Sequence, residues 1–280
     1  MNQFSLYVEE LGKNKSLVAL PILCLHGHPG SARSMGIFTQ HLADRYWTLA
    51  PDLRGYGQSQ PRSAFMSAFT METHLEDLVQ VLDARGIEQV VVVGWSLGGI
   101  FAMELALRYP DRVKGLILVA TAARPWGDHP RVTLGDNAIT GLAGMINLVR
   151  PGWRWNIETL AKRSLFRYLV RQHTPEVYQY LAREAVYSYF KTSRQANNAL
   201  TLRIKQGYNR VPDLHQIKIP VLMLIGEFDR HISPAASRET AKALPNCEWE
   251  MFQDTAHLLP WEKSEAVLKR IDRWLEETDI

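Results

Sequence analysis

Short apolar runs alternate with longer helical patterns along most of the chain, and this alternation limits the fold more than any other feature. Strands covered on both faces carry aliphatic or β-branched residues at consecutive positions. Such runs occupy residues 21–25, 46–50, 90–93, 113–120 and 221–225. Helix-length segments, such as residues 71–85 and 100–109, lie between them. The alternation predicts a mostly parallel sheet with helices on both faces.

The alternation stops between residues 122 and 213, where no clear pattern of a buried strand occurs. Residues 123–213 contain 14 Lys and Arg against 6 Asp and Glu, a net charge of +8, whereas the rest of the chain has a net charge of −5. A change of this size indicates an inserted unit. We therefore predict a core of residues 1–122 and 214–280 and a helical insertion of residues 123–213.

The overall composition narrows the class of protein. A chain of 280 residues can bury a substantial core, and its net charge of +3 is too small to indicate a polyanionic partner such as nucleic acid. No apolar run reaches the roughly 18 residues of a membrane-spanning helix. Residues 1–10 lack the basic start and apolar run of a signal peptide. The two cysteines, Cys24 and Cys247, form no disulfide framework, so a cytoplasmic location is predicted.

The strongest chemical signal is Gly94-Trp95-Ser96-Leu97-Gly98, which fits G-x-S-x-G directly after the valine run and before a helical pattern. A serine on a sharp strand-to-helix turn projects its hydroxyl out of the sheet, and the glycines relieve crowding. The helix amino terminus favours developing negative charge. We predict Ser96 as a nucleophile, against the alternative of a helix-capping serine.

A serine hydroxyl needs a base, and His257 is the best placed of the nine histidines because it lies in a loop after residues 248–252 and before a helix of about residues 260–277. The other histidines are less well placed: His26, His28, His41, His74, His129, His173, His215 and His231.

The base needs an acid in turn. Asp229 follows the run 221–225, at the carboxyl end of a predicted strand, and Glu227 is its competitor.

A tetrahedral oxyanion needs preorganised N–H donors. We predict the backbone N–H groups of Leu97, which follows the nucleophile, and of His28 in the segment Leu25-His26-Gly27-His28-Pro29-Gly30. The pair His26 and His28 is an alternative metal-binding motif, but no convincing third ligand accompanies it.

Three arginines of the insertion follow helical spacing. Arg163, Arg167 and Arg171 lie at i, i+4 and i+8, which predicts one basic helix face. Such a face over the site entrance would attract an anionic substrate, an acidic carrier protein or an anionic lipid surface. The alternative is a solvated helix face without a partner.

Together these motifs resemble the α/β-hydrolase family over the whole chain. Residues 26–30 are similar to its H-G-x-P-G oxyanion loop, residues 52–59 to its D-x-R-G-x-G-x-S turn and residues 94–99 to its nucleophile elbow. The insertion stands where the family has a helical cap. One departure is Ala256, where relatives usually have glycine. The resemblance implies an eight-stranded, mostly parallel sheet with a helical cap over Ser96.

The resemblance also implies an activity. It predicts a carboxylesterase-like serine hydrolase that cleaves an ester or related acyl bond of a small-molecule substrate through an acyl-enzyme, with no cofactor or metal. Epoxide hydrolases and haloalkane dehalogenases of this family use an aspartate nucleophile, so Ser96 excludes them. Carbon–carbon bond hydrolysis or perhydrolysis on the same residues is one alternative. A receptor that keeps the three residues and binds a small ligand is another.

Overall fold

The computed structural model of the chain describes residues 4–13, 19–60, 69–128 and 132–278. Residues 1–3 of the amino-terminal segment and the histidine candidate His129 lie outside these ranges. Within them, the strands form a single sheet with the order β1-β3-β2-β4-β5-β6-β7. In chain order the strands are β1 (Val8–Leu11), β2 (Ile22–Leu25), β3 (Thr48–Pro51), β4 (Val90–Trp95), β5 (Val113–Val119), β6 (Val221–Gly226) and β7 (Cys247–Phe252).

The sheet is parallel except at one edge, where β1 pairs antiparallel with β3. Its buried strands send alternate side chains into two separate apolar clusters. Val92 shares one cluster with Leu78 of the helix Met71–Asp83, and Val93 shares the other, on the opposite face, with Phe38 of the helix Gly36–Leu42. The predicted parallel sheet with helices on both faces is therefore confirmed.

The strand count can be compared with the prediction only over the residues that the structure describes. The described residues contain seven strands, whereas eight were predicted. The eighth strand came from the family resemblance and corresponds to no apolar run. Among the described residues ahead of β2, only Val8–Leu11 forms a strand.

Helices fill the connections between the strands. In chain order they are α1 (Gly36–Leu42), α2 (Met71–Asp83), α3 (Leu97–Arg108), α4 (Leu134–Val149), α5 (Arg154–Thr159), α6 (Pro175–Tyr180), α7 (Val186–Phe190), α8 (Arg194–Lys205), α9 (Pro234–Ala243), α10 (Leu259–Glu262) and α11 (Ser264–Glu277). The single helix predicted after His257 is interrupted at Lys263, whose φ of −137° is not helical. No helix in the described ranges is long and apolar enough to cross a membrane.

The connection from β5 to β6 contains α4 to α8 and, in its described part, no strand. The helix predicted to carry the three arginines is absent. Two short 3-10 segments, Ala161–Arg163 and Leu165–Tyr168, take its place, and Ser164 between them has an extended backbone. Ser164 accepts a hydrogen bond from the N–H of Phe166, a local bond that competes with a continuous helix.

The prediction of one basic face is consequently wrong. Arg167 pairs with Asp136 at 2.9 Å, and Arg171 pairs with Asp254 at 2.8 Å. Arg163 is exposed at the end of the first 3-10 segment. The expected recruitment of an anionic substrate or carrier depended on a shared face, so it loses its structural basis.

Candidate active site

Ser96 lies on the tight turn between β4 and α3. Its φ of 53° and ψ of −116° are a conformation that residues with a side chain rarely adopt. The flanking glycines make the turn possible. A Cβ atom on Gly98 would lie 2.0 Å from the carbonyl oxygen of Leu25, and one on Gly94 would lie 2.6 Å from backbone atoms of the same turn. The motif spacing is therefore a steric requirement of this turn.

Ser96, His257 and Asp229 form a chain of two hydrogen bonds. Nε2 of His257 lies 3.1 Å from Oγ of Ser96, and Nδ1 lies 2.8 Å from Oδ2 of Asp229. Because a carboxylate can only accept, Nδ1 carries the proton and Nε2 accepts from the serine hydroxyl. The imidazole is thus oriented to remove a proton from Ser96.

The Asp229 carboxylate is held by backbone groups and is only 4% exposed. Its Oδ1 accepts the N–H groups of His231 at 2.8 Å and Ile232 at 2.9 Å, which leaves Oδ2 for His257. The competitor Glu227 accepts the backbone N–H of Asp254 at 2.8 Å. The structure therefore brings Asp229, and not Glu227, to the imidazole.

The loop that carries His257 is supported from two sides. Trp95 donates its indole N–H to the His257 carbonyl oxygen at 3.3 Å. The buried Glu262 carboxylate accepts the N–H groups of Ala256, Arg171 and Gln172 at 3.0, 2.9 and 2.7 Å. Burial raises the pKa of Glu262, and these three hydrogen bonds oppose the increase. The sequence gives no sign of this role, because Glu262 belongs to no motif.

The predicted N–H donors lie on two segments that meet at the turn. Leu97 is the first residue of α3, where N–H groups have no partner within the helix. A Cβ atom on Gly27 would lie 3.2 Å from Cβ of Ser96, so the loop before His28 passes directly against the turn. Nδ1 of His28 lies 2.9 Å from the Tyr56 hydroxyl, a contact that sequence analysis missed. Burial lowers the pKa of His28.

His26 has a structural role. Its Nδ1 donates to the Gly27 carbonyl oxygen at 2.8 Å, and its Nε2 accepts the N–H of Leu53 at 3.0 Å. Complete burial lowers the pKa of His26 to about 4. Both nitrogens are engaged with the backbone, so this histidine is not free to bind a metal. In the part of the chain that the structure describes, no group of three or more His, Cys, Asp or Glu side chains is placed to hold a metal ion.

Comparison with known proteins decides the family. A family sequence profile described as the alpha/beta hydrolase fold matches residues 21–264. The chain belongs to the α/β-hydrolase family. Its geometry agrees, since the turn that carries Ser96 stands at the carboxyl end of a central parallel strand.

The relatives of this hydrolase are named for different hydrolytic reactions. It is 27% identical to a 2-hydroxymuconate semialdehyde hydrolase from Pseudomonas putida, over 92% of this chain and 88% of the relative. It is 25% identical to a proline iminopeptidase from Clostridioides difficile, over 99% of this chain and 96% of the relative. Among solved structures, it superposes on a thermophilic esterase from Thermogutta terrifontis with a TM-score of 0.67 and 26% identity, over 98% of this chain and 93% of that one.

Proposed function

We propose that this hydrolase cleaves carboxylic esters of small or medium-sized substrates through an acyl-enzyme formed on Ser96. The observation that carries the proposal is the hydrogen-bonded chain from Ser96 Oγ through His257 to Asp229, at 3.1 and 2.8 Å, on a turn that exposes the serine to the carboxyl edge of the sheet. The 26% identity to a solved esterase supports the ester as the bond.

In the proposed reaction, Ser96 Oγ attacks the acyl carbon while His257 Nε2 takes the hydroxyl proton. The oxygen of the tetrahedral intermediate is held by the N–H groups of His28 and Leu97. His257 then gives its proton to the departing alkoxide, and Asp229 stabilises the imidazolium in between. Water repeats these steps on the acyl-enzyme and releases the acid and free Ser96.

We further propose that residues 123–213 act as a cap over this site. Glu262, next to the His257 loop, accepts hydrogen bonds from Arg171 and Gln172 of this segment. The N–H of Leu258 also donates to the Leu169 carbonyl oxygen at 3.1 Å. These contacts support an inserted unit seated beside the candidate base.

The test is hydrolysis of p-nitrophenyl esters of increasing chain length by the wild type and by Ser96→Ala. Loss of the nucleophile should lower kcat by about 10⁴-fold or more. Ser264→Ala, at an exposed serine that begins α11, is the control and should keep full activity. If Ser96→Ala retains more than a tenth of the activity, the serine mechanism is wrong.

A second candidate is hydrolysis of a carbon–carbon bond on the same residues, which the 27% identity to a semialdehyde hydrolase favours. Product analysis separates the two. If the enzyme cleaves a vinylogous diketone, needs Ser96 to do so and does not hydrolyse the esters, the ester proposal is wrong and carbon–carbon hydrolysis takes its place.

A further inference from the structure

A cavity of about 460 Å³ opens between α2, α3 and α8. Its walls are mainly apolar, with contributions from Phe69, Met71, Ile100, Phe101 and Leu200. This size falls within the range of pockets that hold small ligands, about 300–1,000 Å³. The proposed mechanism uses none of these side chains.

The cavity adjoins the candidate active site. Leu97, the residue after Ser96, lines it, and so does Tyr56, whose hydroxyl bonds to His28. Both residues that we propose as oxyanion donors are therefore part of the cavity wall or in direct contact with it. The cavity therefore begins at residues next to Ser96 and to the His28 loop.

One buried ring nitrogen in the cavity wall has no hydrogen-bond partner among the described residues. His74 on α2 is only 7% exposed, and its Nδ1 atom is buried without a hydrogen-bond partner among the described residues. Its ring packs against Phe101, with centroids 4.8 Å apart, and against Phe69 at 6.3 Å. Buried polar atoms are nearly always paired, so an exception beside a cavity indicates a ligand group. His74 itself lines the cavity, so a group bound in that space would lie against its side chain.

The imidazole of His74 is neutral at pH 7, because burial lowers its pKa to about 3, with smaller contributions from Arg54 and His26. A neutral imidazole carries one donor and one acceptor nitrogen. It can therefore pair with an uncharged carbonyl or hydroxyl group without burying a charge.

The position of His257 decides which half of an ester enters the cavity. His257 must protonate the leaving group, so the alcohol portion departs on its side of Ser96. The cavity is lined by residues of α2, α3 and α8 and by Tyr56, Pro125 and Tyr208, and neither His257 nor Asp229 belongs to its wall. This separation from His257 favours the cavity for the acyl portion, the half of the ester that stays on Ser96.

We propose that this cavity is the acyl pocket and that His74 selects acyl chains that carry a neutral hydrogen-bonding group, a ketone or a hydroxyl, along an otherwise apolar chain. The proposal deepens the esterase function above and rests on it. His74 is a specificity residue that touches the acyl chain and takes no part in bond cleavage.

The experiment compares p-nitrophenyl heptanoate with its 4-oxo, 5-oxo and 6-oxo analogues. For each ketone, the ratio of kcat/KM to that of the plain ester is measured in the wild type and in His74→Phe, which keeps an aromatic ring and removes both nitrogens. Dividing one ratio by the other cancels the intrinsic reactivity of the esters. One buried hydrogen bond corresponds to about a fivefold higher ratio in the wild type for at least one ketone. If, for each of the three ketones, the wild type and His74→Phe give the same ratio, the proposal is wrong.

Met71→Leu is the matched control, because it changes the same wall without a hydrogen-bonding group. Its ratios should equal those of the wild type. Turnover of plain heptanoate shows that His74→Phe is folded. If it is not, the wild-type ratios are compared with those for hydroxide hydrolysis of the same esters, and no enzymatic preference for any ketone would contradict the pocket.

The pocket and the esterase function fail separately. Full activity of Ser96→Ala on plain heptanoate contradicts the function and leaves the ratios to test the pocket. If the wild type turns over none of the esters, binding of 2-heptanone tests the pocket instead. Calorimetry then compares the affinity of Ser96→Ala with that of the double variant Ser96→Ala, His74→Phe. About fivefold weaker binding to the double variant supports the pocket, and equal binding rejects it.

Discussion

Asp229 and Glu227 stand two positions apart after β6, and their surroundings separate their roles. Sequence position favoured Asp229, because it follows the run 221–225, but left Glu227 open. Asp229 has one oxygen on two backbone N–H groups and the other on His257, whereas Glu227 accepts the N–H of Asp254. The roles of both carboxylates can therefore be separated by matched amide substitutions.

We expect Asp229→Asn to lower kcat by about 10³–10⁴-fold with little change in stability. The asparagine amide can donate to Nδ1, which would place the imidazole proton on Nε2, where it cannot accept from Ser96. Steady-state kinetics on a p-nitrophenyl ester measure the effect, and Glu227→Gln is the matched control. An Asp229→Asn enzyme within tenfold of the wild type, or an equal loss in Glu227→Gln, would remove Asp229 from the proposed role.

Among the elements, those that depend on burial were predictable and those that depend on tertiary contacts were not. The run 90–93 predicted β4 because a strand covered on both faces must be apolar throughout. The turn at Ser96 was predictable because glycine spacing reports steric crowding. By contrast, the helical spacing of Arg163, Arg167 and Arg171 did not produce a helix, because the extended backbone of Ser164 interrupts the segment. Arg167 and Arg171 then pair with different partners, Asp136 and Asp254.

The Glu262 carboxylate connects two segments beside His257, the loop that carries this histidine and residues 171 and 172 of the insertion. Glu262 is 6% exposed and receives three backbone N–H groups, one from the His257 loop and two from residues 171 and 172. The partners stand 6, 90 and 91 residues from Glu262, so none of these contacts follows helical spacing. Glu262 is therefore a positioning residue that acts through the backbone beside His257.

We expect Glu262→Ala to lower the free energy of unfolding by about 3 kcal/mol, because one buried and two part-buried N–H groups lose their acceptor. The displaced loop should also lower kcat more than it raises KM. Urea denaturation gives the stability, and ester kinetics give the split between kcat and KM. Glu265→Ala removes an exposed carboxylate of the next helix, and should change stability by less than about 0.5 kcal/mol. Similar losses in the two variants would contradict the role of Glu262.

At the scale of the whole molecule, two apolar clusters enclose the sheet, and two histidines are buried with them in the neutral state. His26 bonds to backbone at both ring nitrogens, and His74 is packed between Phe69 and Phe101. Burial lowers their pKa values from 6.5 to about 4 and about 3. Folding therefore excludes protons that the unfolded chain would bind at these positions.

Stability should consequently depend on pH in a defined window. Above about pH 7.5 both histidines are almost fully neutral in either state and contribute almost no slope. As the pH falls from 6.5 towards about 4, the unfolded chain takes up protons that the folded protein does not, so the free energy of unfolding falls. Each histidine adds up to about 1.4 kcal/mol per pH unit to this slope. Denaturation at a series of pH values should show a shallower slope for His74→Phe, which cannot bind a proton, than for wild type and for Met71→Leu. Parallel curves for all three proteins would mean that His74 is protonated to the same extent in the folded and unfolded states.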